Sequence, residues 1–281
     1  MPILCSTGAL IGRPNNRDYT LLKDLAPRLT CDGFELMIYS DWYPDPDKLV
    51  CFTKEIDINI PVIHCEKRIG ELLSSGTVED LNTAMQDFYL NCEIAKGVGA
   101  EKLVLHLWNG LVSDSHIENN ILGYRYLREI ADEYGLMLLV ENVVCGVGNP
   151  MQRCYELYEV YPDASFVFDT KMTAFYCQEE LLYEDEYFWL QDRIRHYHVN
   201  DYGGGYKDWS NLKVLPIGEG RVNFDKFFTY IRKKSHQNFT FTVESTAFDK
   251  TGVVHTEILN CCFDKIRKYL SERSNSDAQQ K

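Results

Sequence analysis

The segment that most constrains the fold is residues 136–142, LMLLVEN, in which five apolar residues lead directly into Glu141. It follows Gly135, a typical stop signal for the helical pattern of residues 117–134. A run this short and apolar predicts a strand that is buried on both faces, as in a parallel sheet covered by helices. A lone buried carboxylate costs several kcal/mol unless it is paired or bound to a metal, so we expect Glu141 to have a partner.

The same pattern recurs along the chain, because apolar runs that lead into His, Asp or Glu alternate with helical patterns. Strands are predicted at residues 3–6, 33–39, 60–63, 102–105, 136–140, 166–168, 194–199 and 239–243. Helices are predicted at residues 19–29, 47–57, 78–97, 117–134, 152–158, 179–190, 224–233 and 256–270. Eight repeats of about 35 residues match the size of a βαβ unit.

This alternation predicts an α/β fold, most simply a single (β/α)8 TIM barrel over residues 1–270. Residues 271–281 are polar and predicted to form a disordered tail. The alternative is an open doubly wound sheet, which normally carries a glycine-rich phosphate loop after its first strand. Only Gly8 and Gly12 are available for such a loop, so the barrel is favoured.

Composition narrows the classes of function. The formal net charge is −13, which disfavours non-specific binding to nucleic acid or to anionic lipid. The ten cysteines contain no C-x-x-C pair, which disfavours a structural zinc site or a redox motif. The sequence shows neither a signal-peptide pattern nor an apolar stretch of the ~18 residues that a membrane helix needs. We therefore expect a cytoplasmic protein with free thiols.

Six residues at or just beyond the predicted strand ends are candidates for one site: His64, His106, Glu141, Asp169, His198 and Glu244. Their gaps of 42, 35, 28, 29 and 46 residues each approximate one strand-helix unit. The carboxyl ends of all barrel strands lie on one face, so these side chains would surround one pocket. Mixed imidazole and carboxylate ligands are typical of Zn²⁺, Mn²⁺, Fe²⁺ or Co²⁺, and a cation would relieve repulsion between the carboxylates. Taken singly, a histidine at a strand end is more often a hydrogen-bonded core residue than a ligand, and a buried glutamate has a salt bridge to Lys or Arg as its alternative.

Short motifs around these residues resemble the xylose isomerase-like barrel superfamily, which includes ketose 3-epimerases, hydroxypyruvate isomerase, inosose dehydratase and endonuclease IV. The resembling segments are residues 61–64 (PVIH), 104–106 (VLH), 140–142 (VEN), 168–170 (FDT), 198–201 (HVND), 216–220 (PIGEG) with Val222 and Phe224, and 243–244 (VE). They cover predicted strands three to eight. No single motif is long, and the specificity comes from their order and spacing.

The resemblance implies one divalent metal, Mn²⁺, Zn²⁺, Co²⁺ or Mg²⁺, bound by Glu141, Asp169, His198 and Glu244. It also implies that Glu141 and Glu244 act as an acid/base pair on either face of a substrate carbon next to a carbonyl. Carboxylates of tuned pKa suit that proton transfer. His64 and His106 are expected to bind substrate, or to form a second metal site with Glu141.

Two departures from the family pattern affect the expected function. The endonuclease and several epimerases have a histidine three residues after the aspartate of the sixth strand, where this chain has Met172. The Asp-x-His of the endonuclease is replaced by residues 202–210, YGGGYKDWS. A trinuclear zinc cluster would lack three ligands, so nucleic acid is not the expected partner. The prediction is a sugar isomerase or epimerase acting on a small sugar or polyol, with a dehydratase as the alternative and a nuclease or a non-catalytic sugar- or protein-binding barrel less favoured.

Three further residues are candidate substrate contacts. Trp108 follows His106 and would stack on a sugar face, the alternative being packing at the barrel rim. Lys67 and Lys207 would meet a phosphate or a carboxylate, the alternative being ordinary surface charge. Residues 203–205, three glycines, are a candidate hinge for a lid. The sequence leaves the oligomeric state open, a homo-oligomer included.

Overall fold

A closed barrel of eight parallel strands forms the centre of the molecule in the computed structural model, which describes residues 1–234 and 239–272. Each strand pairs with the next in chain order, and the eighth pairs with the first. The strands are β1 (Ile3–Ser6), β2 (Gly33–Met37), β3 (Val62–His64), β4 (Lys102–Leu105), β5 (Met137–Glu141), β6 (Ser165–Asp169), β7 (Ile194–His198) and β8 (Thr240–Val243). The predicted TIM barrel is therefore confirmed, and the open doubly wound sheet is wrong.

Helices follow the strands and cover the barrel, burying a continuous apolar layer between the two. The helices are α1 (Leu22–Leu25), α2 (Pro46–Glu55), α3 (Arg68–Ser75), α4 (Val78–Val98), α5 (Gly110–Ser113), α6 (Ile117–Glu133), α7 (Pro150–Val160), α8 (Thr170–Phe175), α9 (Phe188–Gln191), α10 (Phe224–Lys233) and α11 (Thr256–Ser271). None of the helices in the described ranges is long and apolar enough to cross a membrane. All ten cysteines lie in these ranges and are free thiols.

Two predicted helices differ from the structure. Residues 179–190 form two short 3₁₀ turns, Glu179–Tyr183 and Asp185–Tyr187, followed by α9, rather than one helix. This segment places like charges four residues apart and has no basic residue to balance them, which weakens an α-helix. Residues 19–29 likewise divide into 3₁₀ turns on either side of α1. Helix α3, which has only eight residues, was not predicted from the sequence.

The barrel interior has its own small apolar layer, separate from the layer under the helices. It consists of Leu4, Val62, Val104, Leu139 and Val167, each on a different strand. Successive residues of a strand point to opposite faces, so the residue two positions further along also points inward. This alternation aims polar residues at the carboxyl end of the barrel.

The chain ends partly match the prediction. The last helix continues to Ser271, so the predicted tail of residues 271–281 begins in a helix. Residues 273–281 lie outside the described residues. At the third strand, pairing starts at Val62 rather than at residue 60, because Pro61 lacks the N–H that a ladder requires.

Candidate metal centre

The carboxyl ends of strands β5 to β8 bring four side chains together. Glu141, Asp169 and His198 are the last residues of β5, β6 and β7, and Glu244 follows β8 directly. We call these four residues the carboxylate cluster. One ligand-forming atom from each lies within 4.8 Å of the others, and the first three residues are fully or almost fully buried. The structure therefore brings together the four residues that the family resemblance implied.

The imidazole of His198 lies at the centre of this cluster. Its Nδ1 is 3.2 Å from Glu141 Oε1, 3.4 Å from Glu244 Oε2 and 3.9 Å from Asp169 Oδ2. Despite these short distances, Nδ1 has no hydrogen-bond partner of acceptable geometry among the described residues. A buried ring nitrogen that faces three carboxylates without a hydrogen bond is unfavourable unless a cation or a proton lies between them.

The other nitrogen of His198 explains this orientation. His198 Nε2 lies 3.2 Å from Oε2 of Glu35, a fully buried residue of β2. An ionised carboxylate only accepts hydrogen bonds, so Nε2 carries the hydrogen and the lone pair of the neutral ring is on Nδ1. A carboxylate behind a histidine is the usual support for a metal-binding imidazole. The donor set of one imidazole and three carboxylates therefore fits a divalent cation.

The protonation of the cluster points the same way. Burial disfavours the charged ring of His198, but the carboxylates of Glu244, Glu35 and Glu141 together raise its pKa well above the ordinary value. Burial and the nearby charge of Glu141 raise the pKa of Asp169 to about 7. Without a metal the cluster therefore holds protons that a cation would displace.

Two asparagines hold the cluster in place. Asn200 Nδ2 donates to Asp169 Oδ2 and to Glu244 Oε2, both at 3.0 Å. Asn142 Oδ1 accepts from the backbone N–H of Asp169 at 2.7 Å. Asp169 Oδ1 also accepts from the backbone N–H of Met172 and so caps α8. These bonds fix the carboxylate oxygens before any ligand arrives.

A second group of possible ligands adjoins the first and shares Glu141 with it. His106 Nε2 lies 2.9 Å and His64 Nε2 lies 3.5 Å from Glu141 Oε2. His64 Nδ1 is 3.0 Å from the backbone oxygen of Cys65, so Nδ1 carries a hydrogen and it is Nε2 that faces Glu141. Burial lowers the pKa of His106 to about 4, so its ring is neutral near pH 7. These three residues are therefore also able to hold a cation.

Beneath the carboxylate cluster lies a hydrogen-bond network that we call the Glu35 network: Glu35, His196, Thr240 and Thr242. His196 Nε2 is 2.8 Å from Glu35 Oε2 and His196 Nδ1 is 2.5 Å from Thr240 Oγ1. Thr242 donates to the same glutamate oxygen at 2.7 Å. Both ring nitrogens of His196 are engaged by protein groups, and burial lowers its pKa. Although Glu35, His196 and His198 are close enough to hold a metal, we interpret this group as a support for His198.

A cavity of about 490 Å³ opens above the carboxylate cluster. It has the size of a typical small-molecule site. Predicted site residues that line it are Glu141, Glu244, His106 and Lys67. Met172, which stands where several relatives have a histidine, lines it as well.

Three predicted substrate contacts do not line this cavity. Trp108 is fully buried, and its indole Nε1 donates to the backbone oxygen of Val143 at 3.0 Å. Trp108 therefore packs in the core, and its ring is not available to stack on a sugar. Lys207 lies 5.0 Å from the ring centre of Tyr176, away from the cavity lining. His64 is fully buried behind Glu141.

Four residues that the structure places at the site were not predicted from the sequence: Glu35, Asn142, Asn200 and Lys171. Glu35 carried a readable signal, because it lies within the strand-like run GFELM just as Glu141 lies at the end of its run. The two asparagines lie within motifs that we quoted for the resemblance, but no role was assigned to them. Lys171 had no signal in the sequence pattern.

Comparisons with known proteins agree with this architecture. A search of curated proteins finds no match. Among solved structures, the chain is similar to a D-tagatose 3-epimerase-like protein (18% identity, TM-score 0.68, covering 96% of this chain and 100% of that one). It is also similar to a D-allulose 3-epimerase from Methylomonas sp. in complex with D-allulose (15% identity, TM-score 0.71, covering 96% of this chain and 97% of that one). A third similar structure is that of the IOLI protein with a bound zinc atom (15% identity, TM-score 0.68, covering 98% of this chain and 100% of that one).

At these identities the solved structures show a shared fold alone. The sequence itself shows the family, because residues 24–257 match the family model described as xylose isomerase-like TIM barrel. This range includes β2, on which Glu35 lies, and all four residues of the carboxylate cluster. The chain belongs to the xylose isomerase-like TIM barrel family.

Proposed function

We propose that this chain is a divalent-metal-dependent isomerase or epimerase that moves a proton next to the carbonyl of a sugar or sugar derivative. The observation that carries the proposal is His198 Nδ1, buried without a hydrogen bond and facing three carboxylates at the base of a cavity. Family membership supports it, as do the epimerases and the zinc-containing protein among the similar structures.

In this proposal Glu141, Asp169, His198 and Glu244 hold the metal. A divalent cation at this position would polarise a substrate carbonyl and offset the negative charge that develops as the neighbouring carbon loses its proton. Asp169 and His198 are set back from the cavity lining, so their role is confined to holding the cation.

Glu141 and Glu244 both line the cavity and are the proposed acid/base pair. Glu244 is the more accessible, with 14% of its side chain exposed. Burial alone would raise the pKa of Glu141, but the facing rings of His198 and His106 hold it well below the ordinary range, so its carboxylate is ionised and able to accept a proton. His106 lines the cavity while its Nε2 contacts Glu141 at 2.9 Å, so this residue is placed to orient a substrate hydroxyl beside Glu141.

The test begins with metal analysis of protein purified without chelators, followed by ¹H–²H exchange in deuterated water across a panel of keto sugars. We expect a bound divalent metal and exchange of one carbon-bound hydrogen in at least one sugar. Stripping the metal should abolish exchange, and re-addition of Mn²⁺, Zn²⁺, Co²⁺ or Mg²⁺ should restore it. Product mass separates isomerisation from dehydration, because only loss of water changes the mass. Exchange that persists unchanged after the metal is removed would contradict the proposal.

A further inference from the structure

Lys171 is unusual among the lysines that the structure describes because it is buried, with 6% of its surface exposed. It lies in the first turn of α8, two residues after Asp169, and lines the cavity above the carboxylate cluster. Its ammonium nitrogen makes no hydrogen bond to a described residue and yet is not among the fully buried polar atoms without a partner, so the charged end of this otherwise buried side chain faces the cavity. An anion in the cavity would compensate that charge.

The described part of the chain supplies no anionic partner at bonding distance. No carboxylate of residues 1–234 or 239–272 lies within 4.0 Å of the Lys171 ammonium, and its side chain makes no hydrogen bond to these residues. Asp169 is close enough for the ammonium to oppose the rise in the pKa of that carboxyl, but it makes no ion pair with it.

The other basic side chains that line the cavity fall into two kinds. Arg17 is held by Asp41 at 2.5 Å, and Arg68 is held in a bidentate pair with Asp87 at 2.6 and 2.8 Å. These carboxylates lie outside the cavity lining. Lys67, which is half-buried after β3, resembles Lys171 in forming no ion pair with a described residue.

We infer that Lys171 binds an anionic group of the substrate, a phosphate or a carboxylate, and that Lys67, which lines the same cavity, adds to the positive charge that attracts it. This inference rests on the proposed function and narrows its substrate class from sugars in general to sugar phosphates or sugar acids. Ammonium groups form strong charge-assisted hydrogen bonds with both anions. The carboxylate cluster would engage the reacting end of such a substrate, and Lys171 its charged end.

The experiment compares three probes on Mn²⁺-loaded protein by calorimetric titration: a neutral ketohexose, its 6-phosphate and a hexuronate. Wild type is compared with Lys171→Met and Lys67→Met. The matched control is Lys250→Met, which removes the same charge from an exposed loop at the same end of the barrel, outside the cavity lining. Metal content and thermal unfolding are measured for every variant. Lys67→Met, at a half-buried position, keeps the test valid if Lys171→Met does not fold.

We expect wild type to bind the phosphate or the uronate at least tenfold more tightly than the neutral sugar. Lys171→Met should weaken the preferred anionic probe at least tenfold and change neutral-sugar binding less than threefold, and Lys67→Met should have a smaller effect of the same kind. The phosphate and uronate titrations identify which anion is preferred. Equal affinity of wild type for all three probes would overturn the inference. So would an equal loss for all probes in Lys171→Met, because Lys171 would then balance the charge of the metal cluster.

Because these titrations measure binding without turnover, they stay separate from the test of the proposed function. Anion preference without hydrogen exchange would support a charged ligand and contradict isomerisation. Hydrogen exchange without a preference for the anionic probes would support isomerisation and contradict the anionic substrate.

Discussion

The carboxylate cluster and the Glu35 network are built from the same chemical groups, lie one above the other in the barrel and meet at one residue. His198 presents Nδ1 to the carboxylate cluster and Nε2 to Glu35. In the network beneath, both nitrogens of His196 have partners, and Glu35 accepts from Thr242. In the cluster above, three carboxylates converge on a nitrogen that has no hydrogen bond.

The difference shows how a barrel separates support from chemistry. Glu35 Oε1 also lacks a hydrogen bond, but the network sets a single carboxylate against two imidazoles and two hydroxyls. The three carboxylates of the cluster leave excess negative charge beside a cavity, which attracts a cation. The Glu35 network lies outside the cavity lining, and Glu141 and Glu244 lie within it. We therefore expect changes in the carboxylate cluster to affect turnover, and changes in the Glu35 network to affect metal affinity and stability.

The largest effect is expected from the variants Glu141→Gln and Glu244→Gln. Each keeps the shape of the side chain and removes a group that moves a proton, so turnover should fall by about 10²- to 10⁴-fold. Hydrogen exchange with a reactive sugar measures this loss, and circular dichroism checks the fold. Glu219→Gln makes the same change at an exposed position at the same end of the barrel and should be neutral. Near-normal turnover in both cluster variants would end the proposed mechanism.

The variant Glu35→Gln tests whether the Glu35 network orients His198 for metal binding. The amide would present a donor to imidazole N–H groups that now donate to a carboxylate, so metal affinity should fall about 10- to 100-fold. Removing one partner of a buried charged group should also lower the free energy of unfolding by about 3–5 kcal/mol. Metal titration and urea unfolding measure the two effects, with the exposed Glu55→Gln as the control. Unchanged metal affinity in a folded Glu35→Gln protein would show that the network does not orient His198.

Metal affinity should also depend on pH, and the direction follows from the raised pKa values. In the metal-free protein His198 is protonated because Glu244, Glu35 and Glu141 outweigh the effect of its burial on its pKa. Burial and Glu141 raise the pKa of Asp169 to about 7. Metal binding must release these protons, so apparent metal affinity should rise with pH, by about tenfold per pH unit above pH 7, where only His198 must lose its proton. Below pH 7 the rise with pH should be steeper, because Asp169 must lose a proton as well. Titrations at pH 8, 7 and 6 measure the slope, and an affinity independent of pH would contradict the assigned protonation.

Much of the fold could be predicted because parallel strands buried on both faces leave a short apolar run that ends at a turn. Residues 136–142 illustrate both the success and its limit. Leu138 to Glu141 are buried as predicted, but Met137 is 43% exposed, because the strand starts at the solvent end of the barrel. Residues 179–190 were mistaken for one helix because apolar spacing outweighed the repulsion between their acidic side chains.

The sequence predicted which candidate ligands lie together only where they end a strand or directly follow one. Glu141, Asp169, His198 and Glu244 satisfy that rule, and the structure brings them together. Glu35 lies inside β2 rather than at its end, so only the three-dimensional pairing with His198 reveals its role. For Lys171 the sequence shows an ordinary basic residue in a helical turn, and only its burial and lack of a partner distinguish it.

The smallest predicted effect concerns Trp108, two residues after the cavity-lining His106. Its indole N–H donates to the backbone oxygen of Val143 and its side chain is fully buried, so Trp108→Phe should cost about 1 kcal/mol of unfolding free energy. The KM for a reactive sugar should change less than twofold, because the ring does not reach the cavity. His106→Asn is the counterpart on the cavity side and should raise that KM severalfold. Urea unfolding and steady-state kinetics on both variants decide the matter, and a raised KM in Trp108→Phe at unchanged stability would restore the stacking role.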